Sequence, residues 1–156
     1  MDKLLTVLST NQVEAGKGGK GGEVKITNAD FITAVFNQVP MGAFAATCSK
    51  PGDPGIGGWP AKSAGQANLP ANNNNYVGCS TFRLAEDGSL KARKVQFAAC
   101  HFLMLDDIGT KIPLEKLSNF EPSWVVETSP GNFQMGIIFE SPITDGVEAV
   151  NLLVRN

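Results

Sequence analysis

The spacing of apolar residues along the chain predicts an α+β fold. Apolar residues at helical spacing predict a helix over residues 27–39, with Thr27 or Asn28 as its cap, and another over residues 145–156. Residues 113–120 predict a short helix or a helical turn. Apolar runs between turn-forming residues predict strands over residues 42–49, 76–84, 94–105, 123–129 and 134–143. The run over 94–105 is apolar at both parities, which indicates a strand in the middle of its sheet. We therefore expect a mixed or antiparallel sheet with flanking helices.

The remaining segments predict the domain organisation. Residues 1–26 contain the tract "EAGKGGKGGE", which is typical of a flexible arm, and residues 27–156 are expected to form one domain. The tract does not match a phosphate-binding P-loop, because Gly21 is followed by Gly22 where that motif needs lysine. Residues 50–75 are rich in proline, glycine and asparagine and predict a long loop.

Composition and charge restrict the class of protein. The 156 residues carry a formal net charge of −2, which argues against a strongly basic nucleic-acid-binding protein. The three cysteines form no CxxC pair, and reduced thiols in a cytoplasmic protein are the simple interpretation. The longest apolar stretch, 97–105, is far shorter than the about 20 residues that cross a membrane, so we expect no membrane partner.

Two adjacent aspartates follow the long apolar strand, in "HFLMLDDIGTK" (101–111). Asp106 and Asp107 are either solvated turn residues or ligands of a cation. Neighbouring side chains of a strand point to opposite faces, so both carboxylates converge only if the strand breaks, and Ile108 and Gly109 are expected to supply that break. Hard oxygen ligands at such a position suit Mg²⁺ or Mn²⁺.

A second polar group follows the next strand, in "WVVETSPGNFQ" (124–134). Hydroxyl groups, a glycine and turn N–H groups can form an anion-binding nest. A plain hairpin with ordinary turn residues is the alternative.

Taken together, "FLMLDDIGTK" and "SWVVETSPGNFQMGI" resemble the core of the RepB-type replicative primases of plasmids and phages. These belong to the archaeo-eukaryotic primase (primase-polymerase) superfamily. The shared pattern is an apolar strand with an acidic end, followed by a strand with the sequence V-V-E-T-S-P-x-N-[YF]-Q. The resemblance covers about residues 95–150 and implies an RRM-like primase core.

The resemblance also implies roles for particular residues. Asp106 and Asp107 would be catalytic and would bind Mg²⁺ or Mn²⁺, with Glu127 as a further candidate ligand or a purely structural residue. The residues expected beside the phosphates of a nucleoside triphosphate are Thr128, Ser129, Gly131, Asn132 and Gln134. Many superfamily members have histidine at the last of these positions, whereas RepB-type members have glutamine.

One part of the family pattern is not found. A third acidic motif is expected after the helix that begins near Asp145, and the sequence ends at Asn156 before it. Asp145 itself is typical of a helix cap. The sequence therefore predicts a truncated catalytic domain, and leaves open whether it is active alone.

Two functions of different classes follow. The first is part of a DNA primase that uses nucleoside triphosphates to make primers on a single-stranded DNA template for plasmid or phage replication, with a replicative helicase as a further candidate partner. The alternative is a non-catalytic module that binds single-stranded nucleic acid or assists replication assembly. Metal-dependent nucleotide binding distinguishes the first from the second, which would bind DNA in a salt-sensitive and metal-independent way.

Three further side chains have two interpretations each. His101 is a core residue or a catalytic base, with the core favoured by its apolar strand. Lys111 is a solvated turn residue or a phosphate ligand, and Trp59 is an anchor of the long loop or a base-stacking residue.

Overall fold

A computed structural model of the chain describes residues 5–8, 12–15, 26–52, 56–57, 61–63, 69–70 and 72–154. Within these residues the fold is α+β, as predicted. The helices are α1 (Asn28–Val35) and α2 (Gly146–Val154). The strands are β1 (Leu5–Leu8), β2 (Gln12–Ala15), β3 (Ala43–Lys50), β4 (Lys62–Ser63), β5 (Asn74–Arg83), β6 (Phe97–Ile108), β7 (Trp124–Ser129) and β8 (Asn132–Ile143).

The chain divides into two compact units. The first comprises Met1–Phe31 and Leu103–Ile138, and the second comprises Ile32–Phe102 and Phe139–Asn156. In the first unit the strand order is β2-β1-β7-β8-β6, and in the second it is β6-β5-β3-β4. Strands β1 and β7 are parallel, whereas β1–β2, β7–β8, β5–β6, β3–β5 and β3–β4 are antiparallel. The predicted mixed sheet is therefore confirmed.

Both α-helices begin at a polar side chain that the sequence identifies. Thr27 Oγ1 accepts the N–H of Asp30 at 3.2 Å, and Asp30 Oδ2 accepts the N–H of Thr27 at 2.8 Å. This reciprocal pair satisfies N–H groups that the first turn leaves unpaired. Asp145 Oδ1 accepts the N–H groups of Val147 and Glu148 at 2.7 and 3.1 Å, which confirms Asp145 as a cap.

Two helical segments are short in the structure. Helix α1 ends at Val35 rather than at residue 39. Pro40 disfavours helical geometry at Val39, so the helix is not expected to reach that residue. Of the short helix or helical turn predicted over 113–120, the structure has the turn, one 3₁₀ turn over Leu114–Leu117. A helix this short is marginal without tertiary support.

Strand β6 begins and ends later in the sequence than predicted. Residues Lys94–Gln96 form a 3₁₀ turn, and the strand runs from Phe97 through both aspartates to Ile108. The prediction that the strand stops at residue 105 is therefore wrong. The apolar pattern ends before Asp106 and Asp107, but backbone pairing in the sheet also includes these polar residues.

Other strands were not predicted from the sequence. Strands β1 and β2 lie within residues 1–26, which the glycine-lysine tract predicts to be flexible, and β4 lies within the predicted loop over 50–75. Strand β1 forms because it pairs with the distant β7, with Leu5 opposite Trp124. Residues 16–25 and Trp59 lie outside the described residues.

Trp124 is the centre of the first unit's core. It is 1% exposed, and its ring meets Phe31 edge-on with centroids 5.2 Å apart. Gly136 lies opposite Trp124 in the β7–β8 pair, where the indole covers its backbone. Ile108 and Met135 are also buried in this unit.

His101 lies in the core of the second unit, which confirms the structural interpretation. It is 1% exposed, and its Nε2 is 2.9 Å from Thr81 Oγ1. Phe36 packs edge-on against both His101 and Phe102, at 5.0 and 5.7 Å between ring centroids. Burial lowers the pKa of His101, because a charged imidazole is poorly solvated there.

The three cysteines are free thiols. Burial raises the pKa of Cys79 to about 12 and also raises that of Cys100. Both thiols therefore stay protonated near neutral pH. Neither α1 nor α2, the helices of the described residues, is long and apolar enough to cross a membrane.

We expect Gly136→Ala to destabilise the protein by about 1–3 kcal/mol, the usual cost of overpacking a core. The added methyl group would overlap the Trp124 ring, which is fully enclosed. Chemical denaturation measures the free energy of unfolding. Gly78→Ala is the matched control, since it is also a strand glycine but has open space around its Cβ position, and equal losses in both variants would contradict the packing argument.

We expect acid to destabilise the protein partly through His101. In the unfolded chain this histidine protonates below about pH 6.5, whereas the folded protein keeps it neutral to lower pH. The free energy of unfolding should therefore fall as pH decreases from about 6.5 toward the lowered pKa. His101→Gln should flatten that slope between about pH 5 and 7, and an unchanged slope would exclude His101 as the cause.

Candidate functional site

Asp106 and Asp107 lie at the end of β6, in the first unit. Among described residues other than glycine, Asp107 alone has a positive φ, 57°. The regular alternation of the strand therefore breaks at Asp107, one residue before the break that the sequence predicts. The carbonyl of Asp107 then accepts the N–H groups of Lys111 and Ile112 at 2.9 and 3.1 Å, which closes a tight turn.

The two carboxylates have different partners. Asp106 Oδ1 accepts the N–H of Asp107 at 2.8 Å and the side-chain amide of Gln134 at 3.1 Å. Asp107 Oδ2 is 2.6 Å from Nζ of Lys111. The pKa of Lys111 is raised by this hydrogen bond, then by the charge of Asp107, and further by that of Asp106. Both aspartates therefore act on one ammonium group.

The β7–β8 hairpin carries the second predicted group of residues. Ser129 pairs with Asn132 across a two-residue turn, in which Gly131 has a φ of 73° that favours glycine. Glu127 Oε1 accepts the N–H of Gly131 at 2.8 Å. Glu127 therefore stabilises the turn, and the Gly131 N–H group, one of those expected to form the anion nest, already has a hydrogen-bond acceptor.

Thr128 and Asn132 fix the other side of the hairpin turn. The Thr128 hydroxyl donates to the carbonyl of Asn132 at 3.2 Å and accepts from the Asn132 side-chain amide at 3.1 Å. Ser129 is exposed at the strand end. The predicted phosphate-site residues therefore lie on one hairpin, and the side chains of Thr128 and Asn132 are held by hydrogen bonds within it.

Three contacts join the aspartate turn to this hairpin. Gln134 donates to Asp106, and the Thr110 hydroxyl donates to Asn132 Oδ1 at 2.7 Å. Gly109, with a φ of 89°, lies against the carbonyl of Gly131 with no space for a side chain. The structure thus brings together the two motifs that are about 20 residues apart in the sequence.

A comparison with known protein families gives a match that includes both motifs. The model of the RepB DNA-primase N-terminal domain matches residues 66–153, more than half of the chain. The chain belongs to the RepB primase family. This membership relates it to the primases of DNA replication. Searches of curated proteins and of solved structures gave no match.

The donor set of this RepB primase domain fits a divalent metal that is shared with a ligand. Two adjacent carboxylates supply hard oxygens, and one of them, that of Asp107, is paired with the Lys111 ammonium group. Within the part of the chain that the structure describes, no three His, Cys, Asp or Glu side chains form a metal-binding cluster. Mg²⁺ commonly takes only one or two carboxylates and completes its shell with water and substrate phosphates.

Sequence reasoning gave Gly109 only a role in the strand break, and it identified neither the contact of Gly109 with the hairpin nor Thr110 as a part of the site. Both lie in "DDIGTK", where the glycine signals only a turn and the hydroxyl has no motif of its own. Their partners, Gly131 and Asn132, are distant in the sequence, so only the pairing of the strands reveals the contacts.

Gly109→Ala should destabilise the first unit by about 2–4 kcal/mol, combining the strain of a positive φ with overlap on the Gly131 carbonyl. Gly88→Ala is the control, because Gly88 has a φ of 74° but open space, and it isolates the cost of the backbone conformation. Denaturation of both variants gives the difference. Changes in amide chemical shifts at residues 127–134 in the Gly109 variant alone would show that the overlap disturbs the hairpin. Equal decreases in the free energy of unfolding of the two variants would contradict the overlap argument.

Proposed function

We propose that the chain is the metal- and nucleotide-binding part of a DNA primase, acting by divalent-metal-dependent nucleotidyl transfer on single-stranded DNA during plasmid or phage replication. Family membership supports the reaction class. The single observation that carries the proposal is the Gln134–Asp106 hydrogen bond of 3.1 Å, because it joins the acidic strand end to the hairpin that carries the expected phosphate ligands.

In this proposal Asp106 and Asp107 hold Mg²⁺ or Mn²⁺, with Glu127 a weaker candidate because its Oε1 is engaged by Gly131. The bound metal would neutralise triphosphate charge and activate the attacking hydroxyl group. Gln134 orients Asp106 through its amide, and it brings no positive charge to the site. Cytoplasmic residence follows from the proposed role, since the DNA and nucleotides that it requires are there.

The hairpin residues are proposed to face the nucleotide. Ser129 offers an exposed hydroxyl, while Thr128 and Asn132 keep the turn in shape through their mutual bonds. Gly131 allows the turn its positive φ. A nucleoside triphosphate would then contact this turn while its phosphates share the metal with the aspartates.

The test is calorimetric titration of Mn²⁺ with a nucleoside triphosphate into the wild type and an Asp106→Asn/Asp107→Asn variant. Asparagine is preferable to alanine because it tolerates the left-handed conformation of Asp107. We expect the variant to bind at least about ten-fold more weakly, since both hard ligands lose their charge.

Glu86→Gln/Asp87→Asn is the matched control, because it removes the same two charges from an acidic turn in the other unit. This control should bind like the wild type. Equal binding in all three proteins would contradict a metal site at Asp106 and Asp107. Salt-sensitive binding of single-stranded DNA without metal dependence would instead support the non-catalytic module.

A further inference from the structure

Lys111 is held beside Asp107 by the backbone, while its side chain is largely in solvent. The Lys111 N–H donates to the Asp107 carbonyl at 2.9 Å, and the Gly109 N–H donates to the Ile112 carbonyl at 2.7 Å. The Lys111 side chain is 78% exposed, against 36% for Asp107, although Nζ and Oδ2 are only 2.6 Å apart. The position of the residue is therefore fixed, but its ammonium group is free to exchange partners.

We propose that Lys111 is a phosphate-binding residue that a divalent metal displaces from Asp107. It is the counter-ion of Asp107 in the structure, and it transfers its ammonium group to the phosphates when a metal-phosphate complex occupies the site. This inference rests on the proposed function.

Electrostatics supports the exchange. A metal ion and an ammonium group compete for the charge of the same carboxylate, and an exposed ion pair contributes little to stability, so the lysine is easily displaced. A displaced ammonium group keeps its charge and has three donors for a new anion.

The position of the turn supports phosphate as that anion. Thr110, adjacent to Lys111, is bonded to Asn132 of the hairpin turn at 2.7 Å. The stem of Lys111 therefore starts beside the residues proposed to meet the phosphates. Lysine is a common phosphate ligand because it acts as a point charge that needs no fixed fork geometry.

The experiment compares Lys111→Met with the wild type for two probes, Mn²⁺ alone and the preformed Mn²⁺–tripolyphosphate complex. Free Mn²⁺ is followed by electron paramagnetic resonance, and the complex by calorimetry. Methionine keeps an unbranched stem and removes only the charge. We expect Lys111→Met to bind Mn²⁺ alone about two- to five-fold more tightly, because a competitor is lost. It should bind the complex about ten-fold more weakly, because a charge-assisted hydrogen bond is lost.

Lys91→Met is the matched control. Lys91 forms the same i,i+4 pair with Asp87, also at 2.6 Å, but in the other unit. It should leave both affinities unchanged, whereas Lys111→Arg should restore much of the binding of the complex. Effects of opposite sign for the two probes distinguish this role from a structural one, which would weaken both.

The possible failures are separable. If the wild type binds Mn²⁺ and loses it in Asp106→Asn/Asp107→Asn, while Lys111→Met matches the wild type for either probe, the role of Lys111 is wrong and the metal site stands. If the wild type and the double asparagine variant bind the Mn²⁺–tripolyphosphate complex equally, or neither binds it, the proposed function is wrong and the role of Lys111 falls with it.

Discussion

The contact between Gly109 and the carbonyl of Gly131 determines how the end of β6 meets the β7–β8 hairpin. Both residues have positive φ values, 89° and 73°, so each backbone turns sharply where the two segments touch. Any side chain at Gly109 would separate them. The hydrogen bonds from Gln134 to Asp106 and from Thr110 to Asn132 depend on this approach, because side-chain bonds of 3.1 and 2.7 Å tolerate little displacement of their backbones.

The same turn also determines how the two aspartates differ. The left-handed conformation of Asp107 removes it from the alternation of the strand, and strain of this kind concentrates at functional sites. Asp106 consequently turns to the hairpin, and Asp107 turns to Lys111 of its own loop. Two like charges are thus kept close through different partners, and each partner offsets part of their repulsion.

Much of this arrangement could be predicted from local sequence. The Pro-Gly pair indicates the hairpin turn, Thr27 and Asp145 indicate helix starts, and the apolar setting of His101 indicates a core residue. The resemblance to primases identified the two motifs, and the family match covers the same region. Strand β1 could not be predicted, because it depends on pairing with β7 more than a hundred residues later. The contacts of Gly109 and Thr110 could not be predicted either, because their partners lie on another strand pair. Nor could the end of β6, where the strand continues through polar residues because the sheet pairs them.

The bond between Glu127 and the Gly131 N–H has a consequence for the form in which an anion approaches the hairpin. Glu127 Oε1 is bonded to the Gly131 N–H and Asp106 Oδ1 to the Gln134 amide, so two carboxylates contact this hairpin. A bare phosphate group would be repelled by these carboxylates, whereas one that carries its own divalent ion would arrive with less negative charge. At the nucleotide site proposed above, selectivity for the complexed nucleotide over the free one would then arise from the fixed charges of the protein, before any directional contact forms.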